Sequence, residues 1–370
     1  MRRLLLLGAA AIAALPMLLA DAAIPERPAI DKAITFIRST QQADGGFGGF
    51  GDGQSFDAIY AIRGAGYDPV TFQLSGKSPV DFLRAKAAAQ KKPAEAAKAA
   101  LAAKAANLDP KATGGVDLIA VIAAGLNATT NRYANDDFSN GIAILGLACT
   151  GNAVPAAAVD AMKKTQLADG GWGFDGASDP DTAAIGLQAL LAAKAPKTDP
   201  AVAKALAYFK ATQAKDGGWG FDPEASSASS TAFAVQALIA ASENVEAPAW
   251  TKAGKTPVAF LLSQQKSDGS FEGFDPAFAA NQITPALAGR TFCNAPETTI
   301  SNQGPLPPPS VTPRPTTTVT PPTPTPRAPE PPRTGNGLAG GDGLSPFVAG
   351  AVVLFVLGAA GAVAAKRRSA

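Results

Sequence analysis

Residues 166 to 175 read Q-L-A-D-G-G-W-G-F-D, and residues 213 to 222 read Q-A-K-D-G-G-W-G-F-D. Two weaker copies flank the pair: Q-Q-A-D-G-G-F from Gln41 and Q-K-S-D-G-S-F from Gln265. In all four copies Asp-Gly begins three positions after the glutamine, and an aromatic stands six positions after it: Phe47, Trp172, Trp219 and Phe271. A recurring composite pattern of this kind marks an architecture built from stacked repeats.

Each copy lies between two apolar segments. The segment before it has helical periodicity, as in Val202 to Phe209; the segment after it is more uniformly apolar, as in Thr182 to Leu190 and Thr231 to Leu238. An amphipathic stretch followed by an apolar one reads as an outer helix and an inner helix. Alanine dominates both, which favours helix and permits close approach. A second echo covers the interval without the string: Gly66-Tyr67-Asp68-Pro69 against Asn107-Leu108-Asp109-Pro110, and Pro79-Val80-Asp81 against Gly115-Val116-Asp117. The pattern predicts outer helices near 29–41, 79–90, 115–126, 155–166, 199–212 and 255–265, and inner helices near 55–66, 94–107, 137–149, 180–194, 229–242 and 279–291. Six helical hairpins can form an open spiral or a ring. The halt at six hairpins favours a ring. So does a Cys149–Cys293 bond between the ends of two inner helices, because bonded α-carbons must lie within about 7 Å.

The string itself reads as turn chemistry. Glycine takes positive φ without a steric cost and aspartate caps the turn. The glutamines Gln41, Gln166, Gln213 and Gln265 are placed to bond loose backbone groups at a helix end. The aromatics then cover that contact. A sugar-binding use of Trp172 and Trp219 is the competing reading, but one sugar site does not call for four copies.

The two ends of the chain stand apart from this body. Residues 1–22 read as a signal peptide: Arg2 and Arg3, an apolar run, then Ala20-Asp21-Ala22 as cleavage site. Residues 23–304 form the repeat body. Residues 305–345 form a stalk, with 13 prolines and seven threonines between Pro305 and Arg333; that composition favours extended polyproline II. Residues 346–365 are long and apolar enough for a transmembrane helix, and the basic tail 366–370 belongs on the cytoplasmic side. The body is thereby expected on the outer face of the cell membrane or in the wall. Pro331-Pro332-Arg333-Thr334-Gly335 resembles a sortase sorting signal with proline in place of its leucine, so processing at Thr334-Gly335 competes with a retained anchor.

Composition excludes several chemistries. Net charge is +2 and there is no histidine, so neither a nucleic-acid footprint nor the commonest general base and metal ligand is present. Cys149 and Cys293 read as a disulfide in an exported chain, against a metal site or a nucleophile.

Gln-x-x-Asp-Gly-Gly-Trp-Gly resembles the QW motif of the terpenoid cyclase and protein prenyltransferase superfamily, over essentially all of Ile24 to Cys293. The resemblance implies an all-α (α/α)6 toroid, here with a disordered Pro/Thr stalk and one C-terminal transmembrane helix. The x-Asp-Pro and Val-Asp segments are also similar to the cobalamin carriers intrinsic factor and transcobalamin. Three functions are therefore implied: cyclisation, prenyl transfer, or carriage of a large ligand such as cobalamin.

The residues discriminate among them. Class II cyclases protonate an alkene with an Asp-x-Asp-Asp motif followed by Thr-Ala. The chain offers Asp179-Pro180-Asp181-Thr182-Ala183, with Pro180 at the proton-donating position. Asp179 and Asp181 remain as alternative acids, beside the reading as a loop and helix cap. Prenyl transfer needs a zinc-activated thiolate, and its histidine ligand is missing. Cobalamin carriers close with a further C-terminal domain, where this chain has a stalk. A calcium loop from Asp169, Asp175, Asp179 and Asp181 lacks an EF-hand pattern. The expectation is therefore a toroid that binds an apolar or part-apolar, isoprenoid-like molecule without a cofactor or metal, leaning against catalysis. A structural or adhesive surface module is the remaining alternative. The cavity rim is expected near Asp57, Tyr60, Asn140, Asp181, Thr231 and Gln282.

Overall fold

The computed structural model describes residues 26–49, 51–222 and 224–295. The signal peptide, stalk, sorting signal with Thr334 and Gly335, and membrane helix read from the sequence lie outside these residues. Among the described residues no helix is long and apolar enough to cross a membrane.

Helices alternate strictly along the chain. The outer set is α1 (Arg27–Ser39), α3 (Pro79–Lys86), α5 (Leu118–Ala124), α7 (Ala156–Lys164), α9 (Pro200–Thr212) and α11 (Pro257–Ser263). The inner set is α2 (Gly51–Gly64), α4 (Pro93–Ala105), α6 (Asp137–Cys149), α8 (Pro180–Ala192), α10 (Ala228–Ala240) and α12 (Pro276–Leu287). Capping chemistry fixes many of the starts. In five helices a side-chain cap is followed at once by proline: Ser78-Pro79, Asp179-Pro180, Asp199-Pro200, Thr256-Pro257 and Asp275-Pro276. Proline fits the first helical position because its missing N–H is an orphan there anyway.

Each inner helix packs on the next, and α12 packs on α2, so the ring is closed. Small residues set the spacing. A side chain added at Gly146 of α6 would run into Ala97 of α4, and one at Gly141 would meet Ile185 of α8. Polar links seal the seam between last and first hairpins: Asn281 Nδ2 donates to the Gln54 carbonyl at 3.2 Å, and Gln282 Nε2 donates to Asp57 Oδ2 at 3.2 Å. Cys149 and Cys293 form a disulfide with α-carbons 4.5 Å apart. It ties the end of α6 to the segment that follows α12.

The sequence pattern gave no sign of two short antiparallel hairpins. β1 (Trp172–Phe174) pairs with β2 (Ala177–Asp179), and β3 (Trp219–Asp222) pairs with β4 (Ala225–Ser227). Each leads directly into an inner helix, α8 and α10 respectively.

Candidate functional site

The four repeated loops are staples. In each, the glutamine amide bonds the second residue of its own Asp-Gly step and also reaches the neighbouring repeat. Gln41 Nε2 donates to the Phe72 carbonyl, Gln166 to Ala201, Gln213 to Trp250 and Gln265 to Ala29, each at 2.8 Å. The aspartates Asp44, Asp169, Asp216 and Asp268 each accept from the backbone N–H two residues on, at 3.0 Å. Gly170 holds φ +94° and faces Lys204 so closely that a Cβ would strike its carbonyl oxygen. The aromatics Phe47, Trp172, Trp219 and Phe271 are all buried. The indole N–H groups of Trp172 and Trp219 donate to the Met162 and Phe209 carbonyls at 2.9 Å. No flat face remains for a sugar. The motif binds helix to helix.

The inner helices turn one face toward the centre of the ring. On α8, Gly186 marks the outward side, because a side chain there would run into Trp172 and Met162. At about 3.6 residues per turn, Asp181, Ala184 and Gln188 lie on the opposite, inward side. Phe138 stands two residues past its N-cap Asp136, as Asp181 stands two past Asp179. Phe138 of α6 and Phe233 of α10 meet edge to face, with ring centroids 6.1 Å apart. Since α8 lies between α6 and α10, the two rings meet across the front of α8, on the side Asp181 faces.

Two carboxyls are gathered there. Asp179 Oδ1 caps α8 by accepting from Thr182 N at 2.8 Å, while its Oδ2 is buried without a partner among the described residues. Asp181 Oδ1 is likewise buried and unpartnered. Burial raises both groups above the ordinary carboxylate range, Asp179 to about 6 and Asp181 to about 7. Negative charge on Asp179 adds to the rise at Asp181, and Ser230 opposes it. Tyr208 is raised as well, by burial first and then by Asp179, Asp169 and Asp181. Pro180, which lacks a proton to give, serves as the first residue of α8.

Further along the inner helices from this acid pair come amides and one ion pair. Gln188 and Gln236 each stand nine residues past an N-cap, Asp179 and Ser227, on adjacent helices. Both are buried. Gln236 Nε2 donates to the Gln282 carbonyl at 3.1 Å. Gln236 Oε1 and both amide atoms of Gln188 are buried without a partner among the described residues. Lys98 Nζ donates to Asp57 Oδ2 at 2.7 Å.

The expected rim residues divide into three groups. Asp57, Gln282 and Asp181 belong to the inner-helix network. Asn140 and Thr231 are turned toward the loops: Asn140 Oδ1 accepts from Tyr133 N at 2.8 Å, and Thr231 Oγ1 accepts from Trp219 N at 2.9 Å. Tyr60 stacks on Phe292 at 5.4 Å and lines a pocket of about 230 Å³ at the far end of the ring, with Leu101, Lys104 and Cys293. Among the described residues no group of three or more Asp, Glu, His or Cys could hold a metal ion. Asp169 spends Oδ1 on Gly171 N and the Ser178 hydroxyl instead.

Phe138, Phe233, Gln188 and Gln236 did not emerge from the sequence reading. For the two glutamines a signal was present as position: each stands nine residues past the N-cap of its inner helix.

A family model for the squalene-hopene cyclase C-terminal domain matches residues 152–281, and one for the prenyltransferase α/α toroid domain matches residues 6–59. No curated protein matches the sequence. Among solved structures, the type II terpene cyclase MstE from Scytonema in its apo form is similar with a TM-score of 0.54 at 14% identity, covering 70% of this chain and 97% of that one. An MstE variant in complex with geranylgeranyl dihydroxybenzoate gives the same TM-score and identity over 72% of this chain and 97% of the other. The two partial matches and the likeness to MstE support an α/α toroid of the kind found in terpenoid cyclases and prenyltransferases.

Proposed function

We propose that this chain is an exported, membrane- or wall-anchored toroid that binds a part-apolar, isoprenoid-like molecule in its lumen without turning it over. The observation that carries this reading is Pro180, the first residue of α8, which stands where the cyclase motif that this segment resembles has its proton-donating aspartate. Proline has no proton to give, and the preceding Asp179 spends one carboxyl oxygen capping α8. The relatives support an isoprenoid ligand, since an MstE variant is solved with a geranylgeranyl compound. Residues 1–22 and 346–365 support export and anchoring.

The second reading is an acid-initiated, terpene cyclase-like enzyme that uses Asp179 or Asp181. It is favoured by the two high-titrating carboxyls on the inward end of α8. Incubating the full-length chain with squalene and geranylgeranyl substrates, followed by mass spectrometry, separates the two. Retention of unchanged ligand supports binding. A cyclised product that disappears in Asp181→Asn establishes catalysis.

A further inference from the structure

The pocket at the far end of the ring takes its walls from three parts of the chain. Tyr60 comes from α2, Leu101 and Lys104 from α4 with Leu108 just beyond it, and Phe292 and Cys293 from the segment after α12. That last segment is held twice. The Cys149–Cys293 bond ties it to α6, and Phe292 stacks on Tyr60 with ring centroids 5.4 Å apart. The enclosed space is about 230 Å³. An apolar cavity of about 150 Å³ is enough to take benzene. The larger volume here accommodates a ring with a short side chain.

The charge around this space is one-sided. Lys104 Nζ donates to the Cys149 carbonyl, which sets the ammonium beside the disulfide wall. That carbonyl takes one of three donors and brings no formal charge. Other bases near the C-terminal ends of the inner helices are matched by acids, Arg63 by Asp68 and Lys197 by Glu243. Among the described residues Lys104 forms no such ion pair. Arg290, shortly before Cys293, forms none there either, and its positive charge is felt at the Tyr60 hydroxyl.

We propose that this pocket binds a small monocarboxylate with an aryl or compact alkyl body. The carboxylate sits on the Lys104 ammonium, and the body lies against Leu101, Leu108 and Phe292. A carboxylate accepts from the remaining Lys104 donors and offsets their charge. A cation is repelled by Lys104 and Arg290. A neutral amide accepts a hydrogen bond but leaves the ammonium charge uncompensated. A phosphate dianion adds a second negative charge near the C-terminal ends of α2 and α4, where the helix dipoles already place partial negative charge. The site is separate from the acid pair at the start of α8, and it stands independently of the isoprenoid reading.

The test titrates the full-length chain in amphipol with para-fluorophenylpropionate, followed by fluorine NMR. The matching primary amide and primary amine are expected to bind at least about 10-fold more weakly. Lys104→Met keeps the stem and removes the charge. It should weaken the carboxylate about 10-fold, equivalent to about 1.4 kcal/mol, and leave the amide unchanged. Lys104→Gln, which can still donate to the Cys149 carbonyl, is the second variant, and a circular dichroism melt selects those that fold. Phe292→Ala should weaken carboxylate and amide alike. Equal affinity for carboxylate and amide overturns the proposal. So does undiminished carboxylate binding in a folded Lys104 variant, or no carboxylate binding in the millimolar range. None of these results alters isoprenoid binding, which the squalene and geranylgeranyl incubations read separately.

Discussion

The side-chain amide of Gln265 donates to the backbone carbonyl of Ala29 at 2.8 Å, joining residues 236 positions apart. The same bond made by Gln166 reaches forward to the next outer helix, and that made by Gln213 reaches Trp250, in the 3-10 turn that precedes the next outer helix. For Gln265 the next outer helix is the first one in the chain. The last repeat thus closes the ring with the device that joins its interior repeats. Removing one partner of a part-buried bond costs about 1–3 kcal/mol. Gln265→Ala is expected to lower the unfolding free energy by that amount in a denaturant titration. Hydrogen exchange should rise selectively in α1, because α1 loses its tether.

Gly170 and Gly176 test the staple's steric demand. Both have positive φ, +94° and +79°. A Cβ at Gly170 would strike the Lys204 carbonyl, whereas one at Gly176 meets nothing within 4 Å. Each alanine variant carries the backbone cost of about 1 kcal/mol for a left-handed residue. Gly170→Ala carries the clash in addition. Its melting temperature should fall several degrees further than that of Gly176→Ala, and equal falls would refute the close packing of loop on α9.

The acid pair makes stability depend on pH with a definite sign. Asp181 titrates near 7 in the fold against 3.8 for the free side chain. Between those values the folded state holds more protons than the unfolded one. Its contribution is therefore fully present below pH about 4 and is lost as pH rises toward about 7. The slope is at most about 1.4 kcal/mol per pH unit for one proton. Melting temperatures measured from pH 5 to pH 8 should fall, and Asp181→Asn should flatten the fall.

The disulfide spans 144 residues of sequence. A loop of that length contributes about 5 kcal/mol in the chain-entropy description. The paired variant Cys149→Ser with Cys293→Ser should unfold at a clearly lower denaturant midpoint. Reductant should produce the same shift in the natural chain and none in the variant.

Most of the fold was written in local chemistry. α6 runs from Asp137 to Cys149, within the limits that the apolar run set, because Asp136 caps one end. α8 and α10 likewise begin at capped positions next to the Thr-Ala pairs. The outer helix α5 proved shorter than the pattern. Gly114 and Gly115 both adopt positive φ, and Asp117 caps the helix only at Leu118. The two hairpins were hidden because strands of three or four residues, rich in Gly, Ser and Asp, cannot show an alternating pattern. Ring closure was legible from the cysteines. The lumen was not. Whether a glutamine finds a partner depends on what faces it across the ring, and Gln282 finds one in Asp57 where Gln188 does not.

The placement of the Cys149–Cys293 bond also governs how the molecule responds to pulling. Tension drawn through the chain downstream of Cys293 enters α6 through the sulfur bridge. The stretch from α7 to α12 is bypassed as a shorted loop is bypassed by current. Of the described part of the chain, only the 124-residue stretch from Glu26 to Cys149 can then pay out under load, at most about 440 Å of contour. The half that carries Asp181, Gln188 and Gln236 lies off the line of force and stays slack.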